Sequence, residues 1–91
     1  MRVAVIDSGI HPGHEHVGAV AGGVGVTDSG FTSDILDRIG HGTAVAGVIR
    51  EKAPEAELYA VKVFGRQLST NVERILRALE WCLNQRMDGS I

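Results

Sequence analysis

The residues in this sequence best placed to do chemistry are a carboxylate and an imidazole, Asp7 in the phrase VAVIDSGI and His41 in GHGTAVAGVI, 41 − 7 = 34 residues apart. A carboxylate held beside an imidazole fixes its tautomer and stabilises the imidazolium formed when the ring takes a proton. That is the service a hydroxyl nucleophile requires. Residue type alone does not settle the matter, since an Asp at a strand end is commonly a turn former and a lone His is usually structural. Whether the two can meet depends on the elements that carry them.

Val3 to Ile6 form an uninterrupted apolar run closed by Asp7-Ser8-Gly9, which predicts a strand buried on both faces that delivers Asp7 to its end. Ala19 to Val26, with three interspersed glycines, predicts a second strand that bends or bulges. Thr27 to Ile39 is rich in Asp, Ser, Thr and Gly and reads as a loop with a short turn of helix near its end. From Gly40 the apolar spacing of Val45, Ala46, Val48 and Ile49 predicts a helix broken at Ala53-Pro54, with His41 at its N-terminal end. Small residues around His41 allow that helix to start close to neighbouring backbone. Leu58 to Phe64 reads as a strand and Gly65 to Ser69 as a loop. Thr70-Asn71-Val72-Glu73 has the spacing of a capping box, ahead of Val72, Ile75, Leu76, Leu79, Cys82 and Leu83 at helical intervals. This order of elements is that of an α/β domain with a parallel sheet, in which sites gather at the carboxyl ends of strands.

With 91 residues the chain has room for one domain or part of one, and no repeat or linker divides it. Aromatic residues make up only 4%, so a core must come from Val, Ile, Leu and Ala. A net charge of −2 without a basic stripe argues against nucleic acid as a partner. No run is long and apolar enough for a membrane span, and the first residues lack the regions of a signal peptide, so a cytoplasmic location is the expectation. The single Cys82 falls in the apolar pattern of a helix and reads as a packed thiol. The charges of Arg50, Glu51, Lys52, Glu55 and Glu57 read as a solvated helix end, and Trp81 as a half-buried packing residue or the mark of a docking surface.

Two further patterns compete for attention. His11, His14 and His16, with Glu15 among them, could offer metal ligands, but Pro12 and Gly13 suggest an exposed turn, and the expectation is no metal site. Gly40 to Thr43 before a helix could bind an anion through free amides, which makes a nucleotide-binding or regulatory α/β module the alternative reading. Against it, no strand immediately precedes Gly40 and no Lys follows the glycines.

The phrases are more specific than the residue types. VAVIDSGI, then GHGTAVAGVI, then LYAVKVF and a helix reading ILRALEWC closely resemble the N-terminal half of the catalytic domain of subtilisin-like serine proteases, the subtilases of peptidase type S8, over nearly the whole chain. The resemblance implies a three-layer fold around a parallel sheet, present here in its N-terminal portion. It implies that Asp7 orients His41 within an Asp-His-Ser triad for proteolysis, an order of triad residues known for subtilisin. It also implies that the Ser nucleophile and the oxyanion Asn belong to phrases without a counterpart in these residues. Ser8, Ser29, Ser33, Ser69 and Ser90 all stand in the wrong context. The expected activity is that of a hydrolase portion inactive alone, acting on a polypeptide substrate once a second chain or further sequence completes it. Ala44 stands where many members carry a second His outside the triad. Calcium is a cofactor of many members, yet no acidic cluster with suitable oxygen spacing is evident.

Overall fold

The computed structural model describes residues 1–91. In chain order the elements are β1 (Arg2–Asp7), β2 (Gly22–Thr27), β3 (Gly30–Thr32), α1 (His41–Lys52), β4 (Glu57–Lys62), α2 (Val72–Asn84) and β5 (Gly89–Ser90). They form one five-stranded sheet in the order β3-β2-β4-β1-β5. β1 lies parallel to β4, in register from Arg2 opposite Glu57 to Asp7 opposite Lys62. β2 is parallel to the other side of β4, and β5 makes a short parallel pairing with β1 at Val3 and Ala4.

The unbroken apolar run of β1 has a physical reason. Val3 and Val5 enter one core with Ala46 of α1, Leu58 and Ala60. Ala4 enters a second core with Val24, Val61, and Ala78 and Cys82 of α2. The helices therefore cover opposite faces, and a strand between them must be apolar on both sides. The result is the expected α/β fold in three layers. Cys82 is the packed thiol expected, and burial pushes its pKa up.

Four local expectations need correction. The stretch after Thr27 is not all loop: Asp28 and Ser29 make a two-residue turn, and β3 returns antiparallel to β2, with Val26 opposite Phe31. The sheet is thus mixed, and the antiparallel strand sits on its edge. β2 itself starts at Gly22, later than Ala19. The cap of α2 is Asn71 and not Thr70. Asn71 Oδ1 accepts from Arg74 N at 2.9 Å, while Thr70 Oγ1 is buried without a partner. Arg50 is no solvated charge either, for its guanidinium donates to the carbonyls of Val17, Ala19, Pro54 and Ala56. It ties the loop after β1 to the turn after α1, using donors whose fixed fork suits several acceptors at once.

α2 exists as its apolar periodicity predicts, but its seating differs. It rests on the sheet through Ala78 and Cys82, with Trp81 half-buried beside Tyr59 at a ring separation of 6.5 Å. Val72, Ile75, Leu76, Leu79 and Leu83 of the stripe point outward with 40–78% of their surface exposed. No helix is long and apolar enough to cross a membrane.

Candidate active site

Asp7 is the last residue of β1 and His41 the first of α1, and the fold brings them into direct contact. His41 Nδ1 lies 2.8 Å from Asp7 Oδ2 and 3.0 Å from Oδ1. A carboxylate can only accept, so Nδ1 carries a proton, and in the neutral ring Nε2 is left with its lone pair. The two side chains differ in exposure: Asp7 is buried at 11%, whereas His41 is open to solvent at 56%. This is the arrangement of an orienting group behind and a proton-transfer group in front. Asp7 Oδ1 also accepts from the amide of Ser8 at 2.7 Å, which fixes the carboxylate on its own turn.

Two elements 34 residues apart approach this closely because glycines stand where they touch. Gly42, in the first turn of α1, lies so near the carbonyl of Gly9 that an added Cβ would overlap Gly9 O. Gly9 has φ 104°, and a Cβ there would lie 2.5 Å from Ile35 O. Across the same junction Gly42 N donates to Ser8 Oγ at 3.0 Å. Ser8 is wholly buried in this contact, which removes it as a nucleophile.

The start of α1 is not an open anion site. Two of its first-turn amides are already engaged, Gly42 N by Ser8 Oγ and Thr43 N by Asp37 Oδ2 at 3.0 Å. Asp37 also accepts from Ile39 N and Gly40 N. The negative charge that a helix N-terminus attracts is thus supplied internally, which overturns the alternative reading of Gly40 to Thr43 as a phosphate cradle. Sequence spacing passed over Asp37; an Asp four residues before a helix-starting His was the available signal.

His11, His14 and His16 lie in the loop after β1, on the rim of a cavity of about 830 Å³ beside α1. Their rings are 5.5–6.4 Å apart, and the backbone N–H of His16 donates to His14 Nδ1. No three His, Cys, Asp or Glu side chains converge as ligands there or elsewhere. Asp34 already carries Lys62 and Arg38, and Asp37 is filled by internal donors.

Lys62, nearly buried opposite Asp7 in the sheet register, donates to Asp34 Oδ2 at 3.1 Å. That bond holds the Asp34 pKa down, from 3.8 to about 2. Burial pushes the Asp37 carboxyl up, but the Thr43 hydroxyl and the amides of Gly40, Ile39 and Thr43 outweigh it and hold the pKa well below the usual range. Both groups are depressed in the folded state, so their contribution is complete above the unfolded value of 3.8 and is lost as pH falls below it. Denaturation between about pH 6 and pH 2 should show stability level down to about pH 4.5, then falling steadily through the window set by Asp34. Asp34→Asn and Asp37→Asn should each flatten that slope. A slope unchanged in both variants would refute the assignment.

A mostly parallel α/β sheet thus presents an Asp-oriented histidine at its carboxyl edge. Among known proteins, the model of the subtilase family, Peptidase_S8, matches residues 1–88. The chain belongs to the subtilase family of serine proteases, as its phrases led one to expect. It is 39% identical to the minor extracellular protease Epr of Bacillus subtilis (strain 168), over 97% of this chain and 14% of that protein. It is 38% identical to subtilisin E of the same organism, over 97% of this chain and 25% of that one. Serine protease AprX, also from Bacillus subtilis (strain 168), is 33% identical over 98% of this chain and 22% of its own length. The chain therefore spans a quarter or less of these relatives.

Proposed function

We propose that this chain supplies the Asp–His part of a subtilisin-like serine endopeptidase site and that it is inactive without the nucleophile. The observation that carries this reading is the contact of His41 Nδ1 with the buried Asp7 carboxylate, which leaves Nε2 on the exposed side. In the completed site Nε2 takes the proton of a serine hydroxyl as its oxygen attacks the peptide carbonyl carbon. The C–N bond then breaks, and the imidazolium returns the proton to the leaving amine. Water hydrolyses the acyl-enzyme through the same imidazole, with Asp7 holding the ring in orientation throughout.

The serine is placed outside these residues; in support, the His41 side chain bonds only to Asp7 and the buried Ser8 is committed to Asp37. Further polypeptide, in the same or a second chain, is the proposed partner. The outward stripe of Val72, Leu76, Leu79 and Leu83 supports this, since an apolar face of that extent is normally covered in a folded protein.

The test is to purify a tagged copy from its native cells and treat the eluate with a fluorophosphonate probe, which labels only an activated serine. Label on a serine held in complex with this chain, lost on His41→Ala, is the expected result. An unlabelled complex would overturn the proposal.

A further inference from the structure

We propose that Asp37 is the positioning residue of the Asp7–His41 pair, its carboxylate bolting the turn after β1 to the first turn of α1 and so setting the direction in which the imidazole faces. The functional weight of this inference rests on the peptidase reading above; the geometry does not. Asp37 accepts five hydrogen bonds. Oδ1 receives Ser8 Oγ at 2.8 Å, Ile39 N at 2.9 Å and Gly40 N at 2.8 Å. Oδ2 receives Thr43 N at 3.0 Å and Thr43 Oγ1 at 2.6 Å.

The donors are distributed in a telling way. Ser8 is the neighbour of Asp7, Ile39 and Gly40 immediately precede His41, and Thr43 follows it by two residues. The carboxylate therefore grips the backbone on both sides of the imidazole and on the turn that carries its partner.

Hydroxyl orientation extends the grip. Ser8 and Thr43 both give their protons to Asp37, so their lone pairs are turned to accept. Ser8 Oγ takes Gly42 N at 3.0 Å, and Thr43 Oγ1 takes His11 N at 3.0 Å. Two segments leaving β1, at Ser8 and at His11, are thus bound to α1 through one carboxylate. An isolated helix cap would satisfy the amides of α1 without reaching β1, and the bond to Ser8 is what separates this group from a cap.

Asp37 makes no hydrogen bond to His41 or to Asp7, so it acts through others. A carboxylate fits best, because three of the five partners are backbone N–H groups that can only donate. An amide would set its NH2 against one or two of these whichever way it turned.

The test uses the ¹⁵N-labelled 91-residue chain and reads His41 directly, through its long-range ¹H–¹⁵N correlations and the low-field Nδ1–H proton. The wild type should show one tautomer, protonated at Nδ1. Asp37→Ala should lose the low-field proton and drift to mixed tautomers, Asp37→Asn should lie between, and Ser8→Ala should move the same way by cutting only the β1 link. If Asp37→Ala does not fold, the other two variants carry the test. A folded Ser8→Ala or Asp37→Asn chain whose His41 keeps the wild-type tautomer and proton would overturn the proposal. In the completed peptidase the same variants should lower kcat roughly 10- to 100-fold, the range expected when a reacting group is displaced by about 1 Å, with KM within about twofold. A raised KM with unchanged kcat would equally overturn it. The tautomer readout does not depend on a serine, so failure of the peptidase reading would leave it standing as a separate result.

Discussion

Replacing His41 with Ala in the completed site should lower kcat by about six orders of magnitude, while replacing Asp7 with Ala should lower it by between four and five. The scale comes from subtilisin, a relative of this chain, where loss of the histidine alone costs about 2 × 10⁶ and loss of the aspartate about 3 × 10⁴. The order follows from the geometry here. Without His41 there is no group to take the serine proton. Without Asp7 the imidazole remains on the exposed helix start and still exchanges protons, but its tautomer is no longer fixed by the 2.8 Å contact. Because the two act as one unit, the double variant should be no slower than His41→Ala alone. The measurement is kcat on a peptide substrate, with circular dichroism showing that each variant is folded. An additive double variant would mean that the two residues work independently, contrary to the role assigned to Asp7.

Gly42→Ala should destabilise the chain by about 3 kcal/mol, the upper end of the usual range for overpacking. Helix propensity predicts the opposite sign, since Ala is favoured over Gly inside a helix by about 1 kcal/mol. The steric effect wins because the obstacle is the backbone carbonyl of Gly9, which cannot rotate away as a side chain would. For a chain of this size such a loss corresponds to a fall in Tm of about 12–24 °C. The control lies on the same helix. At Gly47 an added Cβ would meet His16 Cβ at 3.7 Å, an ordinary contact, so Gly47→Ala should raise Tm by a few degrees. Thermal melts of the two variants therefore move in opposite directions. A Gly42→Ala chain as stable as the wild type would show that α1 and the β1 turn are not in the close contact described.

Much of the site was legible in advance because it depends on local signals. The position of Asp7 follows from an apolar run ending in Asp-Ser-Gly, and that of His41 from a helix that must begin near Gly40. Both are read from a few neighbours, and the structure places both where the reading put them. Asp37 offered only its position four residues before His41, and its role was not legible. Its five donors come from four residues, one of them 29 positions away, and only folding makes them neighbours. Arg50 escaped for the same reason, because the carbonyls it gathers belong to two separate loops. The shift of the α2 cap from Thr70 to Asn71 is a smaller case, in which two adjacent residues are both cap formers and Asn71 is the one that accepts from Arg74 N.

By itself the sequence determined that β1, β2, β4, α1 and α2 exist, which ends of them carry Asp7 and His41, and which family the chain belongs to. Periodicity and turn chemistry act over a few residues and survive in a linear reading. Only the tertiary structure decided that β3 folds back on β2, that α2 seats on Ala78 and Cys82 with Leu76, Leu79 and Leu83 outward, and that an internal carboxylate occupies the start of α1. Each of those outcomes turns on which surfaces meet. A hydrophobic stripe says that something must cover it, but the competition among long-range contacts chooses what does.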